Sequence, residues 1–293
     1  MGEIYGGFRG PRLARGLVEQ GAALSGMLLV PPILDYNNRS IDWEPYTYLT
    51  RLPTMAAAHR SATTRDQVAD AEAYATGEYF QDFLRGMGDP AAVARMAKTV
   101  AEMTGLPPEL TVRRGGRIDW WTERREREPG RIASSYDLSL TGIDPLPTSQ
   151  FVEAPDAVTD ALNPVLTSAA VSLYADRLLW RPEGAPTPHY ELLNGAVNRA
   201  WTFNGQGRSP VSVPALRIAL AFDPRLQVIM HGLYDLVTPY YASKMILDQS
   251  PPAVAGRARL MVLPDGHMFC TRDASRVLLR DQGATLAAGT AAP

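Results

Sequence analysis

The chain opens on Gly2-Glu3-Ile4-Tyr5-Gly6-Gly7, and this hexapeptide restricts the fold more than any other stretch. Gly2 and Gly6 bracket a central position and Gly7 follows, the spacing of a G-x-S-x-G turn in which a strand passes abruptly into a helix. Such a turn pushes its central residue out above a sheet, and glycines flank it where a Cβ would collide with the turn. In a working site the central residue carries a hydroxyl that attacks a carbonyl. Here it is Ile4, which can neither attack nor be acylated. Because the chain starts so close to Ile4, the strand that should feed the turn is expected to be missing.

The rest of the chain alternates strand and helix patterns. Residues 24–30 form a near-continuous apolar run ending at Pro31-Pro32, as expected of a strand buried on both faces of a parallel sheet. Residues 226–231 and 259–263 read as two more strands. Residues 8–20 read as the helix after the turn, with Leu13, Leu17 and Val18 on one face and Gly21 as its stop. Residues 35–53 are aromatic and irregular. Thr64 with Gln67 forms a capping box, opening a helix that runs to Arg85. Asp89-Pro90 starts a second helix, closed by Gly105 and Pro107. A third begins near Pro155 and is interrupted at Asn163-Pro164, since a residue before proline is pushed out of the α region. Thr238-Pro239 caps a helix carrying residues 240–248, and Asp273 starts a last helix stopped at Gly283. The pattern predicts an α/β fold with a mostly parallel sheet. Its core would comprise residues 1–50 and 206–293, with a mainly helical insertion at 51–205.

Two later stretches share the character of the opening one: His231-Gly232-Leu233-Tyr234-Asp235-Leu236-Val237-Thr238-Pro239 and Leu263-Pro264-Asp265-Gly266-His267-Met268-Phe269. Each follows a predicted strand, at the edge where α/β enzymes hold their site residues. With Glu3 ahead of the central position, the three stretches together resemble the elbow, acid loop and histidine loop of the serine carboxypeptidase family. The runs Gly10-Pro11-Arg12-Leu13-Ala14-Arg15, Tyr190-Glu191-Leu192-Leu193-Asn194-Gly195 and Thr271-Arg272-Asp273 also look like its bacterial members. The order of the loops is that of the α/β-hydrolase fold. The resemblance implies a partial α/β-hydrolase sheet with the helical insertion as a cap, matching only the C-terminal portion of a complete enzyme.

It also implies roles. Asp235 would orient the imidazole of His267, the base, and Ile4 stands at the nucleophile position. The backbone N–H of Tyr5 would serve as one oxyanion donor, its second partner lying on an upstream loop that this sequence does not carry. Glu3, in its protonated form, would hydrogen-bond the terminal carboxylate of a peptide. Met268, directly after the base, would touch a bound side chain. The implied reaction is release of C-terminal amino acids from peptides through an acyl-enzyme, and with Ile4 it is expected to be lost or very weak. Two alternatives stay open: a non-catalytic peptide-binding or assembly module, and an esterase or acyltransferase of the same fold.

Composition sets the remaining bounds. A formal net charge of −2 gives no footing for nucleic acid or for an anionic membrane. No apolar run approaches the about 18 residues of a membrane span, and no targeting segment is legible. The one cysteine, Cys270, excludes an intrachain disulfide. No metal or cofactor pattern is present: His59, His189 and His231 read as structural. The run Glu123-Arg124-Arg125-Glu126-Arg127-Glu128 alternates in sign and reads as a solvated face, and Trp120-Trp121 beside it as packing. An incomplete sheet would leave an open edge, so self-association or an upstream complementing chain is expected beside a peptide ligand with a free C-terminus.

Overall fold

The computed structural model describes residues 1–36, 43–148, 156–180, 190–191, 194–201, 211–222 and 227–289. His189, Leu192 and Leu193, singled out above, lie outside these residues. The fold is mixed α/β, built on a four-stranded, all-parallel sheet.

The feeding strand is present after all, as a stub. Strand β1 (Gly2–Ile4) pairs in parallel with β2 (Met27–Pro32), and between them runs helix α1 (Tyr5–Glu19). The buried face of α1 is Gly7, Phe8, Pro11 and Ala14, whereas Leu13 is exposed. The chain leaves at Gly21, whose φ of +82° suits a residue without a Cβ. Strand β2 is buried throughout, as its composition requires, but it includes both prolines. They fit because its pairing with the central strand ends at Leu29, so neither missing N–H removes a bond there.

A group of helices follows β2. Tyr46–Arg60 is a helix, α2, inside a stretch that propensity marks as irregular. Burial explains this: Leu49, Leu52, Met55, Ala56 and Ala57 sit in the core, and the buried Thr50 hydroxyl is met by the carbonyl of Tyr46 at 2.8 Å. The capping box at Thr64 and Gln67 is formed, yet the helix expected from it is three pieces: a 3₁₀ turn (Arg65–Val68), α3 (Ala69–Thr76) and α4 (Glu78–Arg85), broken at Gly77. Helix α5 (Pro90–Thr104) starts on the Asp89 carboxylate, which accepts from the N–H groups of Ala91 and Ala92, and ends at left-handed Gly105. Helices α6 (Pro108–Arg113) and α7 (Trp120–Glu126) follow. A short antiparallel hairpin then appears, β3 (Arg131–Ala133) with β4 (Thr141–Ile143), which periodicity did not signal.

The charge run on α7 is not a solvated face. Glu123 is 0% and Arg124 3% exposed. Arg127 pairs with Glu123 and donates to the carbonyl of Met55 at 3.0 Å, while Arg124 Nε donates to the carbonyl of Ala133 at 2.6 Å. Burial pushes the Glu123 carboxyl up, against the opposing pull of Arg127. Trp120 and Trp121 stack with ring centroids 4.1 Å apart, and Arg124 lies over both rings.

Helix α8 (Thr159–Ser172) runs straight through Pro164 instead of breaking. Pro164 is the sixth residue of the helix, where its ring forfeits one backbone bond and crowds the carbonyl of Asp160. Helices α9 (Gly195–Ala200) and α10 (Val213–Phe222) lead to the central strand β5 (Gln227–Gly232). Helix α11 (Tyr240–Asp248) and strand β6 (Ala258–Leu263) complete the sheet in the order β1-β2-β5-β6. Helix α12 (Asp273–Ala287) continues past Gly283, because its far end carries Leu286 into the cluster around Leu28 and Met230. Strand β1 is therefore an edge of the sheet among the described residues. No helix among these residues is long and apolar enough to cross a membrane.

The helical insertion is clasped to α11 by one buried carboxylate. Glu72 takes a bidentate pair from Arg65 at 2.7 and 2.8 Å and accepts the Tyr240 hydroxyl at 2.7 Å. The Tyr241 hydroxyl donates to the Glu72 carbonyl at 2.7 Å. Bidentate, charge-assisted bonds of this kind are the strong ones.

Candidate active site

Three loops meet at the C-terminal ends of β1, β5 and β6. The first is the turn itself. Ile4 has φ 41° and ψ −97°, a left-handed conformation that a β-branched residue avoids. The surroundings impose it: Ile4 ends β1, its carbonyl accepts from Ile33 N at 3.0 Å, and α1 begins at the next residue. The glycines act unequally. A Cβ on Gly2 would lie 2.6 Å from the carbonyl oxygen of Gly6, and one on Gly7 would lie 2.2 Å from Pro32 Cβ. A Cβ on Gly6 meets nothing within 4 Å, so the crowding falls on Gly2 and Gly7 instead of on both flanking positions.

Asp235 and His267 form a hydrogen-bonded pair. His267 Nδ1 lies 2.7 Å from Asp235 Oδ2, and both side chains are 0% exposed. The carboxylate is further satisfied by the backbone N–H groups of Val237 and Thr238, each 2.9 Å from Oδ1, and by the Thr238 hydroxyl on Oδ2. Thr238 thus turns its hydroxyl inward rather than capping α11, whose start has no side-chain cap. An ionised carboxylate only accepts, so the Nδ1 facing it carries the proton and Nε2 is left as the working nitrogen. Nε2 is buried and has no hydrogen-bond partner among the described residues. Its nearest charged neighbour is Glu3 Oε1, at 3.8 Å. That contact brings the first loop to the other two.

Burial alone pulls the His267 imidazole down, but the charge and hydrogen bond of Asp235, with Glu3 behind them, outweigh it and the net direction is up. The ring is also fixed from the insertion: Tyr136 stands edge-on to it at 5.3 Å, and His267 N donates to the carbonyl of Tyr136 at 2.5 Å. Tyr5 starts α1 and packs against Phe8, Tyr36 and Trp201. Glu3 is half exposed and Met268 partly buried beside the base. Glu3 and His267 are thus brought together with Asp235, and Ile4 is the residue that follows Glu3.

Sequence reading missed Thr238, Tyr136 and the hairpin loop behind His267. Asp-x-x-Thr is a turn pattern that could have marked Thr238; the other two carry no local signal. A cleft of roughly 160 Å³ adjoins the acid loop, lined by Leu34, Tyr46, Arg51, Val237, Thr238 and Ile246. Among the described residues no three His, Cys, Asp or Glu side chains are grouped to hold a metal ion. His231 is structural, as expected: it bonds the Thr238 carbonyl at 3.1 Å and Ser243 Oγ at 2.8 Å, and burial holds its pKa down to about 4.

The two buried histidines give opposite pH dependences. The unfolded chain protonates histidine near pH ~6.5, the folded chain protonates His231 only near 4, so stability falls as pH drops through that window, by about 3 kcal/mol in all. His267, raised in the fold, contributes stability that is complete below pH ~6.5 and lost as pH rises through its folded value. Urea denaturation between pH 4 and 8 is expected to show an acid limb that flattens in His231→Asn and an alkaline limb that flattens in His267→Asn.

Comparison with known protein families, curated proteins and solved structures finds no match.

Proposed function

We propose that the chain is a homologue of the serine carboxypeptidases, on a partial α/β-hydrolase scaffold, that keeps the support of the catalytic machinery without its nucleophile. One observation carries this reading. A buried Asp235–His267 pair presents an unpartnered Nε2 toward Glu3, beside a strained, glycine-framed residue at which a strand enters a helix. A serine triad needs that arrangement: a carboxylate to hold the tautomer, an imidazole to take a proton, and a side chain held over it by the turn. At position 4 only hydrocarbon is offered. Removing the nucleophile from such a unit leaves at most the effect of binding and oxyanion donors, on the order of 10³–10⁴ over water.

Glu3 selects the peptide reading over an esterase or acyltransferase. It is half exposed and 3.8 Å from the base, which supports a role in which, protonated, it meets the free carboxyl end of a peptide lying over residue 4. The chain accordingly binds peptide C-termini and does not cut them. Two measurements test this. A fluorophosphonate probe is expected to leave the chain unlabelled, and calorimetry is expected to show binding of peptides with free C-termini but not of their amidated forms. Labelling, or equal affinity for both peptides, contradicts the proposal.

A further inference from the structure

The hairpin loop 134–138 meets both halves of the Asp235–His267 pair through three backbone bonds, beside the edge-on contact of the Tyr136 ring with His267. Leu236 N donates to the Ser135 carbonyl at 3.1 Å, His267 N to the Tyr136 carbonyl at 2.5 Å, and Leu138 N to the Tyr234 carbonyl at 2.9 Å. The residues on either side of Asp235 and His267 itself are therefore registered against one short loop. Contact is close: a Cβ on Gly266 would lie 2.3 Å from the Tyr136 carbonyl oxygen. The loop is in turn tied down from outside the hairpin, by Arg272 against Asp137 at 3.6 Å and, through several bonds, by Asp156. Asp156 accepts Ser134 Oγ at 2.6 Å, and Ser135 N and Ser135 Oγ at 2.9 Å each. It also accepts Val158 N at 3.0 Å at the start of α8, and pairs with buried Arg124 at 3.4 Å. Ser134 Oγ, so held, accepts from Tyr136 N and Asp137 N at 3.0 and 3.2 Å, which shapes the loop that bonds His267.

We propose that Asp156 is a positioning residue for the Asp235–His267 pair, acting through loop 134–138. The inference rests on reading that pair as a catalytic dyad, but its geometry can be tested without any reaction. Asp156 touches neither the dyad nor the ligand position. It fixes Ser134 and Ser135, they fix the carbonyls of Ser135 and Tyr136, and those carbonyls hold the acid and histidine loops at one separation. The two loops also bond each other directly, Leu233 N to the Leu263 carbonyl at 2.8 Å and Tyr234 N to the Asp265 carbonyl at 3.0 Å. Losing the brace therefore shifts the hairpin loop and the His267 backbone bonded to it, and an ion pair weakens as its members part.

The test is NMR titration of ring-labelled histidine in the full chain, with His267 assigned by its loss in His267→Asn. Asp156→Ala is expected to move the His267 midpoint down by roughly one unit or more and to remove its low-field Nδ1–H resonance, as pairing with Asp235 loosens. His231, which bonds the Thr238 carbonyl and Ser243 and has no bond to the hairpin loop, is expected to move less than His267. Ser135→Ala, which removes one contact, and Asp156→Asn, which keeps one accepting oxygen, are expected to give smaller shifts in the same direction. These two decide the matter if Asp156→Ala does not fold. Unchanged His267 midpoint and resonance in folded variants would overturn the proposal, leaving Asp156 as a cap of α8. In an Ile4→Ser background, Asp156→Ala is expected to lower kcat by about 10²-fold with KM little changed, the signature of misplacement rather than lost binding. Were Ile4→Ser inactive while the NMR shift appeared, the functional reading would fail and the brace would stand.

Discussion

Ile4→Ser is expected to turn the chain into a catalyst. The substituted hydroxyl would project from a backbone already held at φ 41° and ψ −97°, toward an imidazole nitrogen that is buried and unpartnered. No rearrangement of the acid or histidine loop is required, because Asp235 and His267 are already 2.7 Å apart. A complete triad is worth on the order of 10⁶ in rate over the same site without its nucleophile. An absent oxyanion donor typically costs ~10²–10³. The balance is a gain of about 10³-fold or more in hydrolysis of an activated ester, with stoichiometric fluorophosphonate labelling at residue 4. His267→Ala in the same background is expected to abolish both. An Ile4→Ser chain that is folded, unlabelled and no faster than its parent would show that the turn does not aim residue 4 at His267.

Gly266→Ala is expected to carry a large stability cost. The new Cβ would meet the Tyr136 carbonyl oxygen at 2.3 Å and Asp137 Cβ at 2.4 Å, both on the loop that His267 bonds. Backbone lies on both sides, so relief requires the histidine loop and the hairpin loop to separate. Overpacking of this kind costs about 3 kcal/mol, and here it also breaks the His267–Tyr136 bond. Gly6→Ala is the matched control. It lies in the first turn of α1 with nothing within 4 Å of the added carbon, so alanine is expected to be neutral or to stabilise by up to about 1 kcal/mol. Denaturant unfolding of the two variants beside the parent separates these outcomes. Similar stabilities for both would contradict the crowding at Gly266.

Much of the site was legible because its signals are local. The sheet strands announce themselves as short apolar runs, since a parallel strand is covered on both faces and has no polar side to alternate. Asp235 and His267 each follow such a run, and an α/β topology brings consecutive strand ends to one edge. The Asp89-Pro90 start and the Thr64–Gln67 box were readable for the same reason: a cap is a side chain bonding its own neighbours. What was illegible depends on distant partners. Glu123 and Arg124 read as surface charges until Arg127, the Ala133 carbonyl and Asp156 are placed around them. Helix α2 is hidden by its aromatic, threonine-rich sequence and by Pro53, and emerges because the insertion buries it. The helix through Pro164 and the one past Gly283 survive residues that usually end helices, the second because Leu286 gains burial beyond the break. Loop 134–138 has no periodicity at all, and its importance lies in three backbone bonds to other loops.

Alkylation of a cysteine placed at position 4 tests the central geometry most directly, because it needs neither a substrate nor an oxyanion donor. In a chain whose native Cys270 is replaced by serine, Ile4→Cys should place a thiol against His267 Nε2, where a thiolate–imidazolium pair forms well below the ordinary thiol pKa of ~8.5. The account predicts iodoacetamide alkylation that stays fast down to about pH 6 and becomes slow there when His267 is also changed to alanine. An alkylation rate that rises only above pH ~8 and ignores His267 would mean that residue 4 and the imidazole do not face each other.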